Sequence, residues 1–155
     1  MTEMKIEQML PGWMLVGIES VVVGVYCVLL FWVIQQVIYS ADWNMFLFVL
    51  GFFKHALGYL LGIQNVYCRY GYACKNIKPQ KKKKDKNINA NTNAYLDKTV
   101  ESVFEGIAFV FFGNLVSATL TTNKTIVVFT TGCLLYILSE IVGLHTYFCE
   151  RCIKR

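Results

Sequence analysis

The chain has 155 residues, of which 55% are apolar, 15% are aromatic and only 16% are charged, and it contains 2 Pro. A soluble domain of this length has no interior large enough for so much apolar surface, so the composition excludes that class and predicts a polytopic membrane protein. The net charge of +5 belongs mainly to one stretch, in which nine Lys or Arg residues from Arg69 to Lys98 stand against Asp85 and Asp97.

Four apolar segments are long enough to cross about 30 Å of hydrocarbon as helices. They cover residues 13–39, 43–66, 97–120 and 126–148. The turns after the first and third segments are short, which forces two antiparallel hairpins. The chain therefore divides into a lead-in and first transmembrane hairpin (1–66), a basic and partly disordered loop (67–96), and a second transmembrane hairpin with a short tail rich in Cys and basic residues (97–155).

The two hairpins carry matching residues. The first segments match at a spacing of 82 positions and the second segments at a spacing of 81. The identical pairs are Glu19 and Glu101, Ser20 and Ser102, Val21 and Val103, Gly24 and Gly106, Val28 and Val110, Phe48 and Phe129, Gly51 and Gly132, Leu57 and Leu138, Gly62 and Gly143, and Cys68 and Cys149. We interpret the chain as an all-α membrane protein of four transmembrane helices, built as two tandem parallel-repeat hairpins related by an axis along the membrane normal.

The basic loop sets the predicted orientation. Cytoplasmic loops of membrane proteins are enriched in Lys and Arg. The loop, and with it both termini, is therefore expected on the cytoplasmic side, while Asp42 and Lys124 lie on the other side.

Small residues recur in register in the second helix of each hairpin. Inside lipid, close backbone approach at small residues supplies much of the helix packing. The spacing of seven and then four residues places each set on one helical face. The predicted packing residues are Gly51, Gly58, Gly62, Gly132, Ser139 and Gly143.

Ionisable residues fall inside the predicted spans. At 1.5 Å per residue, Glu19 and Glu105 should lie about 9 Å below the cytoplasmic boundary, Glu140 about 12 Å, and Lys54 near the midplane. Charged side chains at such depths are costly and normally have partners. We expect Lys54 to pair with Glu19 in the same hairpin. This cluster either fixes the helix register or relays protons or cations.

Residues 135–144, with Glu140 at their centre, resemble the carboxylate helix of the rotary-ATPase proteolipid subunits. Those proteins also have four helices of duplicated hairpins, and the resemblance implies that Glu140 would carry a transported proton. The resemblance covers some ten residues. This chain departs from the family in its Val- and Phe-rich helices, in its long basic loop and in Lys54.

Four of the six cysteines follow the second helix of each hairpin and should lie at the same face: Cys68, Cys74, Cys149 and Cys152. Free or S-acylated juxtamembrane thiols are the leading expectation. A disulfide and a four-cysteine zinc site are the alternatives, although Cys-x5-Cys is long for zinc. Cys27 and Cys133 fall within spans and resemble small apolar residues.

The lysine cluster of the loop would be attracted to anionic lipid head groups or to an acidic protein partner. It consists of Lys81, Lys82, Lys83, Lys84 and Lys86. No zinc-protease motif, nucleophile elbow or phosphate loop occurs, so neither an enzyme nor a cofactor is predicted.

These features predict a non-enzymatic, integral membrane structural or assembly protein that forms a homo-oligomer or part of a larger membrane assembly. A virion membrane protein would fit so small a chain. The alternative is an oligomeric ion or proton channel that uses the intramembrane carboxylates Glu19, Glu105 and Glu140.

Overall fold

A computed structural model of the chain describes residues 12–38, 42–63, 71, 74, 90–145 and 149, and for residues 90–97 it describes the backbone alone. Four long helices make up these ranges: α1 (Gly12–Val37), α2 (Trp43–Leu60), α3 (Ala90–Thr119) and α4 (Lys124–Ile141). The prediction of an all-helical chain with four helices is confirmed for the described residues.

The helices form a bundle with an apolar interior and an apolar exterior. The buried residues of α1 recur every three or four positions, and they are Val16, Ser20, Gly24, Cys27, Phe31 and Ile34. Leu47 and Leu50 of α2, Phe109 of α3 and Val128 of α4 meet this stripe and are fully buried. The outer surface carries large apolar side chains, such as Trp13 at 70% exposure and Val33 at 63%.

Three of the helical segments are long and apolar enough to cross a membrane: Gly12–Val37, Lys98–Thr119 and Lys124–Ile141. The helix α2 is outside this set, since Asn44, Lys54 and His55 lower its hydropathy. Three of the four predicted spans are therefore long and apolar enough, taken singly, to cross a membrane.

Two helices end earlier than predicted. The helix α2 ends at Leu60 rather than near residue 66, and α4 ends at Ile141 rather than near residue 148. In both cases a glycine follows at positive φ, Gly62 at 69° and Gly143 at 78°. A glycine in this left-handed conformation is a common helix terminator because it lacks a Cβ. The sequence prediction missed the stops because each apolar run continues past its glycine.

The third helix begins earlier than predicted, at Ala90 instead of residue 97. The loop was predicted to extend to residue 96, whereas residues 90–96 form the first turns of α3. The lysine cluster lies outside the described residues.

The principal helix contacts cross between the two hairpins. The helix α2 packs most extensively against α3, and α1 packs most extensively against α4. Contacts between α1 and α2, which follow one another in the chain, are much fewer. Each helix therefore makes more contacts with a helix of the other predicted hairpin than with the second helix of its own.

Candidate functional site

Eight polar and ionisable side chains lie toward one end of the bundle, the end at which α1 begins and α2 and α4 finish. We call this group the end cluster. It consists of Glu19, Lys54, His55, Glu101, Glu105, Tyr136, Glu140 and His145. It includes all four residues of the polar cluster that the sequence predicts.

One ion pair of the end cluster joins α2 to α3. Lys54 forms a salt bridge with Glu105, and the two side chains are only 17% and 21% exposed. Lys54 Nζ also lies 5.5 Å from the centre of the Phe109 ring, one turn further along α3. Cation–π attraction of this kind adds to the stability of a desolvated ammonium group. The carboxylate therefore neutralises Lys54 where water has little access.

This pairing corrects the expectation that Lys54 would bind Glu19 in the same hairpin. The reason is the crossed packing, which brings α3 against α2 at the level of Lys54. The depth of Lys54 also differs from the prediction. With α2 ending at Leu60, Lys54 lies about 9 Å from the helix end rather than at the midplane.

Glu19 takes part in a second set of contacts, which joins α1 to α4. The Tyr136 hydroxyl donates a hydrogen bond to Glu19 Oε2. The Tyr136 ring lies 4.6 Å, between centres, from the ring of His145. His145 Nδ1 is in turn 2.8 Å from Glu140 Oε2. Four side chains are thereby connected in series at the end of the bundle.

The depth predicted for Glu140 is also corrected. Because α4 ends at Ile141, Glu140 lies in the last helical turn rather than about 12 Å inside a longer span. Its side chain is 14% exposed and that of His145 is 18% exposed. The carboxylate thus lies near the helix end, where it pairs with His145.

A third contact of the end cluster joins α2 to α3 closer to the surface. His55 Nε2 lies 3.5 Å from Glu101 Oε2, and the side chains are 24% and 36% exposed. The sequence analysis did not single out Tyr136. Alignment of the two halves at a spacing of 81 positions could have identified it, since that alignment places Tyr136 opposite His55.

Two of the predicted packing glycines lie where helices touch. A Cβ added to Gly51 would be 2.8 Å from the Glu105 carbonyl oxygen and 2.9 Å from Gly106 Cα. A Cβ added to Gly132 would be 2.7 Å from Cys27 Sγ and 3.3 Å from Gly24 Cα. Real side chains do not tolerate the shorter distances, so glycine is required for the approach of these helices.

The remaining predicted packing residues behave differently. No described atom lies within 4 Å of a Cβ added to Gly58 or Gly143, so neither permits a close helix contact. Gly62 and Gly143 instead occupy the turns that end α2 and α4. Ser139 is half-buried on α4. Within the described residues, therefore, Gly58 and Gly143 make no close helix contact, because spacing alone does not separate a contact glycine from a terminating one.

Beyond the end cluster, the bundle is filled with apolar side chains. Phe109, Leu47 and Val127 are fully buried there. At the opposite end, Asn114 Nδ2 donates a 2.7 Å hydrogen bond to Asn44 Oδ1. A groove of about 550 Å³ lies between α2 and α3, open to the outside, and its lining residues are Phe48, Ile107, Val110, Phe111, Asn114 and Leu115.

Two cysteines at the end-cluster face are joined. Cys74 and Cys149 form a disulfide, with their Cα atoms 5.1 Å apart. This finding corrects the expectation of free or acylated thiols at these two positions. It also removes two of the four thiolates of the alternative zinc site. Cys68 and Cys152 lie outside the described residues, while Cys27 and Cys133 are free.

Within the described ranges, no three His, Cys, Asp or Glu side chains come close enough to hold a metal ion. Comparison of the chain with protein-family models, with curated proteins and with solved structures finds no match. The class to which the chain can be assigned is therefore the one that its own fold defines: an all-helical bundle with three helices capable of crossing a membrane.

Proposed function

We propose that the chain is a non-enzymatic, integral membrane structural or assembly protein, with four helices in the bilayer and its basic face in contact with anionic lipid or an acidic partner. The observation that carries the proposal is the Lys54–Glu105 salt bridge above a packed apolar interior. A paired charge fixes which helices meet and in what register. It does not provide the wet axis that ion transport needs.

Membrane insertion of all four helices is supported by the outer surface and by the same ion pair. The exposed faces carry Trp, Val, Leu and Phe side chains, which water disfavours and lipid accepts. Lys54 is the main obstacle to placing α2 in a bilayer. Glu105 neutralises it, so α2 can cross as a partner of α3.

The proposed tandem repeat is supported by the helix ends. The helices α2 and α4 both have 18 residues, and their bounds differ by 81 positions. Asp42 and Asn123, which are also 81 apart, both cap the N-terminus with their side chains. Gly62 and Gly143 both end the helix at positive φ. The two halves thus share the N-terminal cap of the second helix, although the capping residue is Asp in one half and Asn in the other.

The inter-helix contacts support the repeat independently. The close contact of α2 with α3 uses positions equivalent to those that join α4 to α1. The matching sets are Gly51, Gly106 and Phe109 on one side, and Gly132, Gly24 and Cys27 on the other. A pseudo-twofold axis along the membrane normal relates the sets if each hairpin's second helix packs on the other hairpin's first helix.

One polar contact between helices follows the same relation. Glu101 with His55 is equivalent to Glu19 with Tyr136. Two others do not. The positions equivalent to the Lys54–Glu105 pair hold Leu135 and Val23, and those equivalent to the Asn44–Asn114 hydrogen bond hold Thr125 and Trp32. The ion pair is therefore particular to one of the two interfaces, as expected of a residue pair that distinguishes one helix pair from the other.

The cytoplasmic placement of both termini follows from the Lys and Arg residues of the loop and tail. The lysine cluster, Lys81–Lys84 and Lys86, would then reach the inner head groups, at about 1 kcal/mol per basic residue. A homo-oligomer or a larger membrane assembly would use the outward apolar faces of the helices.

The second candidate function is proton or cation conduction by an oligomer. It is favoured by the series Glu19, Tyr136, His145 and Glu140, in which hydrogen-bond distances join Glu19 to Tyr136 and His145 to Glu140, and a ring contact joins the two pairs. In this alternative Glu140 would act as it does in the proteolipid-like resemblance, with Glu105 as a further carboxylate.

Proton flux into lipid vesicles, measured together with assembly, separates the two functions. The wild-type chain, Glu105→Gln and Glu140→Gln are reconstituted, and Glu101→Gln serves as a more exposed control. The structural proposal expects flux equal to that of protein-free vesicles in every case, and a loss of the native oligomer or complex with Glu105→Gln. Wild-type flux that disappears in the Gln variants while assembly is intact would support the channel instead.

A further inference from the structure

The disulfide and the basic loop lie at the same face of the protein. Cys74 follows α2 and Cys149 follows α4, so both leave the bundle at the end where the loop between α2 and α3 begins. That loop and the C-terminal tail hold most of the basic residues of the chain, whereas the opposite turns carry Asp42 and Lys124. Charge bias places the loop, and hence the disulfide, in the cytosol.

The cytosol is kept reducing by glutathione and thioredoxin, and a disulfide does not ordinarily form or persist there. Burial explains how this disulfide can persist: Cys149 is fully buried and Cys74 is 8% exposed. Exchange requires a thiolate to reach one of the sulfur atoms, so a reductant has little access once the bundle has closed. Burial does not explain how the bond forms.

We propose that Cys74 and Cys149 are the substrate site of a thiol oxidase that acts at the cytosolic face of the membrane. The inference rests on the orientation given under the proposed function. It adds a modification site and a partner class, namely a thiol–disulfide oxidoreductase whose own Cys-x-x-Cys disulfide accepts two electrons.

The exchange takes place in two balanced steps. The thiolate of one chain cysteine attacks a sulfur of the oxidase disulfide, forms a mixed disulfide and releases one oxidase thiolate. The thiolate of the second chain cysteine then attacks the chain's own sulfur in the mixed disulfide. Cys74–Cys149 forms and the second oxidase thiolate leaves. Two electrons have passed from the chain to the oxidase. The two protons lost when the chain thiols ionise balance those that the two released oxidase thiolates take up.

The burial of both cysteines also dictates the order of events. An oxidase cannot reach a fully buried sulfur, so the exchange must precede the burial of Cys149. The disulfide then joins the end of the first hairpin to the end of the second, across 75 positions of sequence.

The test expresses the full chain, with a C-terminal topology reporter, in cells that have a reducing cytosol. One culture also produces a thiol oxidase without a signal peptide, and the control culture produces the same oxidase with both active-site cysteines changed to Ser. Thiol exchange is quenched by adding acid to the intact cells, and the thiols are then alkylated under denaturing conditions, so that buried thiols also react. The tryptic peptide of residues 70–75 contains Cys74 and no other cysteine, so its alkylated fraction reports the state of that thiol.

With a cytosolic reporter, the expected result is a rise of at least about tenfold in the ratio of oxidised to reduced Cys74 when the active oxidase is present. A second variant, Cys149→Ser, lacks the resolving thiol and should accumulate a mixed disulfide between Cys74 and the oxidase. This second readout does not require the finished fold.

Three results would overturn the inference. The thiols stay reduced and no mixed disulfide accumulates in spite of the oxidase, or the bond forms equally with the inactive oxidase, or the reporter lies outside the cytosol. The first two leave the proposed structural function intact, because reporter orientation and vesicle flux are measured separately. The third overturns the proposed orientation as well.

Discussion

At the scale of single residues, the main feature of the protein is a pair of opposite charges that lies between apolar helices. Lys54 lies on a helix that composition alone would not place in a membrane, and Glu105 of the neighbouring helix neutralises it. Removing one member of a buried ion pair leaves the other uncompensated, whereas replacing both with well-packed apolar residues is often neutral. The equivalent positions in the other half already hold such residues, Leu135 and Val23.

This equivalence predicts the outcome of a double-mutant cycle. Lys54→Leu and Glu105→Val should each lower the free energy of unfolding by about 3–5 kcal/mol, because each leaves one buried charge unpaired. The double variant should unfold within about 1 kcal/mol of the wild type, since it copies the apolar pair of the other interface. Reversible unfolding in mixed micelles measures all four chains. Additive losses in the double variant would show that the two side chains do not act as a pair.

The hydrogen bond between Tyr136 and Glu19 offers a milder test of the second interface. Tyr136→Phe keeps the ring against His145 but removes the donor, and a hydrogen bond to a charged acceptor contributes about 1.5–3 kcal/mol. The same unfolding assay should show a loss in this range. In the Glu19→Gln background the loss should shrink, and an undiminished loss would mean that Tyr136 acts through another contact.

At the scale of the helices, the sequence predicted the four helices correctly but predicted less well where they end and which of them pack together. Apolar length was enough to locate all four helices. The ends of α2 and α4 were missed because Gly62 and Gly143 interrupt runs that stay apolar beyond them. The partner of Lys54 was missed because apolar composition does not indicate which helix packs on which, and sequence proximity favoured Glu19.

Two glycines of α2 can be compared to test which of them lies at a helix contact. Gly51→Ala should lower the free energy of unfolding by more than about 2 kcal/mol, since the new methyl group would meet the Glu105 backbone oxygen at 2.8 Å. Gly58→Ala is the matched control on the same helix. Its Cβ meets no described atom, and the higher helix propensity of Ala should leave the stability unchanged or up to about 1 kcal/mol higher.

Thermal unfolding in detergent compares these two variants with the wild type. Equal losses for Gly51→Ala and Gly58→Ala would contradict the assignment of Gly51 to the contact between α2 and α3.

At the scale of the whole molecule, the two hairpins are held by three kinds of connection: glycine-mediated helix contacts, the end cluster, and the Cys74–Cys149 disulfide. The proposed repeat has its basis in the sequence, and its identities include the two contact glycines, Gly51 and Gly132. The disulfide could not be predicted, since the number and spacing of the cysteines were compatible with free or acylated thiols, with a disulfide and with a zinc site.

The disulfide should make unfolding sensitive to reductant. Closing a loop of 75 residues restricts the unfolded chain by up to about 4 kcal/mol. Dithiothreitol should therefore lower the unfolding midpoint of the wild-type chain, and the same treatment should leave Cys149→Ser unaffected. A midpoint that does not respond to reduction in the wild type would mean that the disulfide contributes little once the helices are inserted.

The central claim is that the two predicted hairpins exchange partners, so that α1 packs on α4 and α2 packs on α3. A Cβ at position 132 would lie 3.3 Å from Cys27 Cβ, and a Cβ at position 51 would lie 2.8 Å from Phe109 Cβ. Both distances are near or below the usual 3.5–4.5 Å of a disulfide. Small shifts of the helices would allow either bond to form.

The direct measurement is oxidative cross-linking of membrane-embedded chains in which Cys68, Cys74, Cys149 and Cys152 are replaced by Ser. One chain carries Gly132→Cys, and the other carries Gly51→Cys with Phe109→Cys. Gly58→Cys with Phe109→Cys is the control. After trypsin cleaves the lysine-rich loop, the first two chains should stay joined until reduced, while the control separates. Separation of both would contradict the exchange of partners.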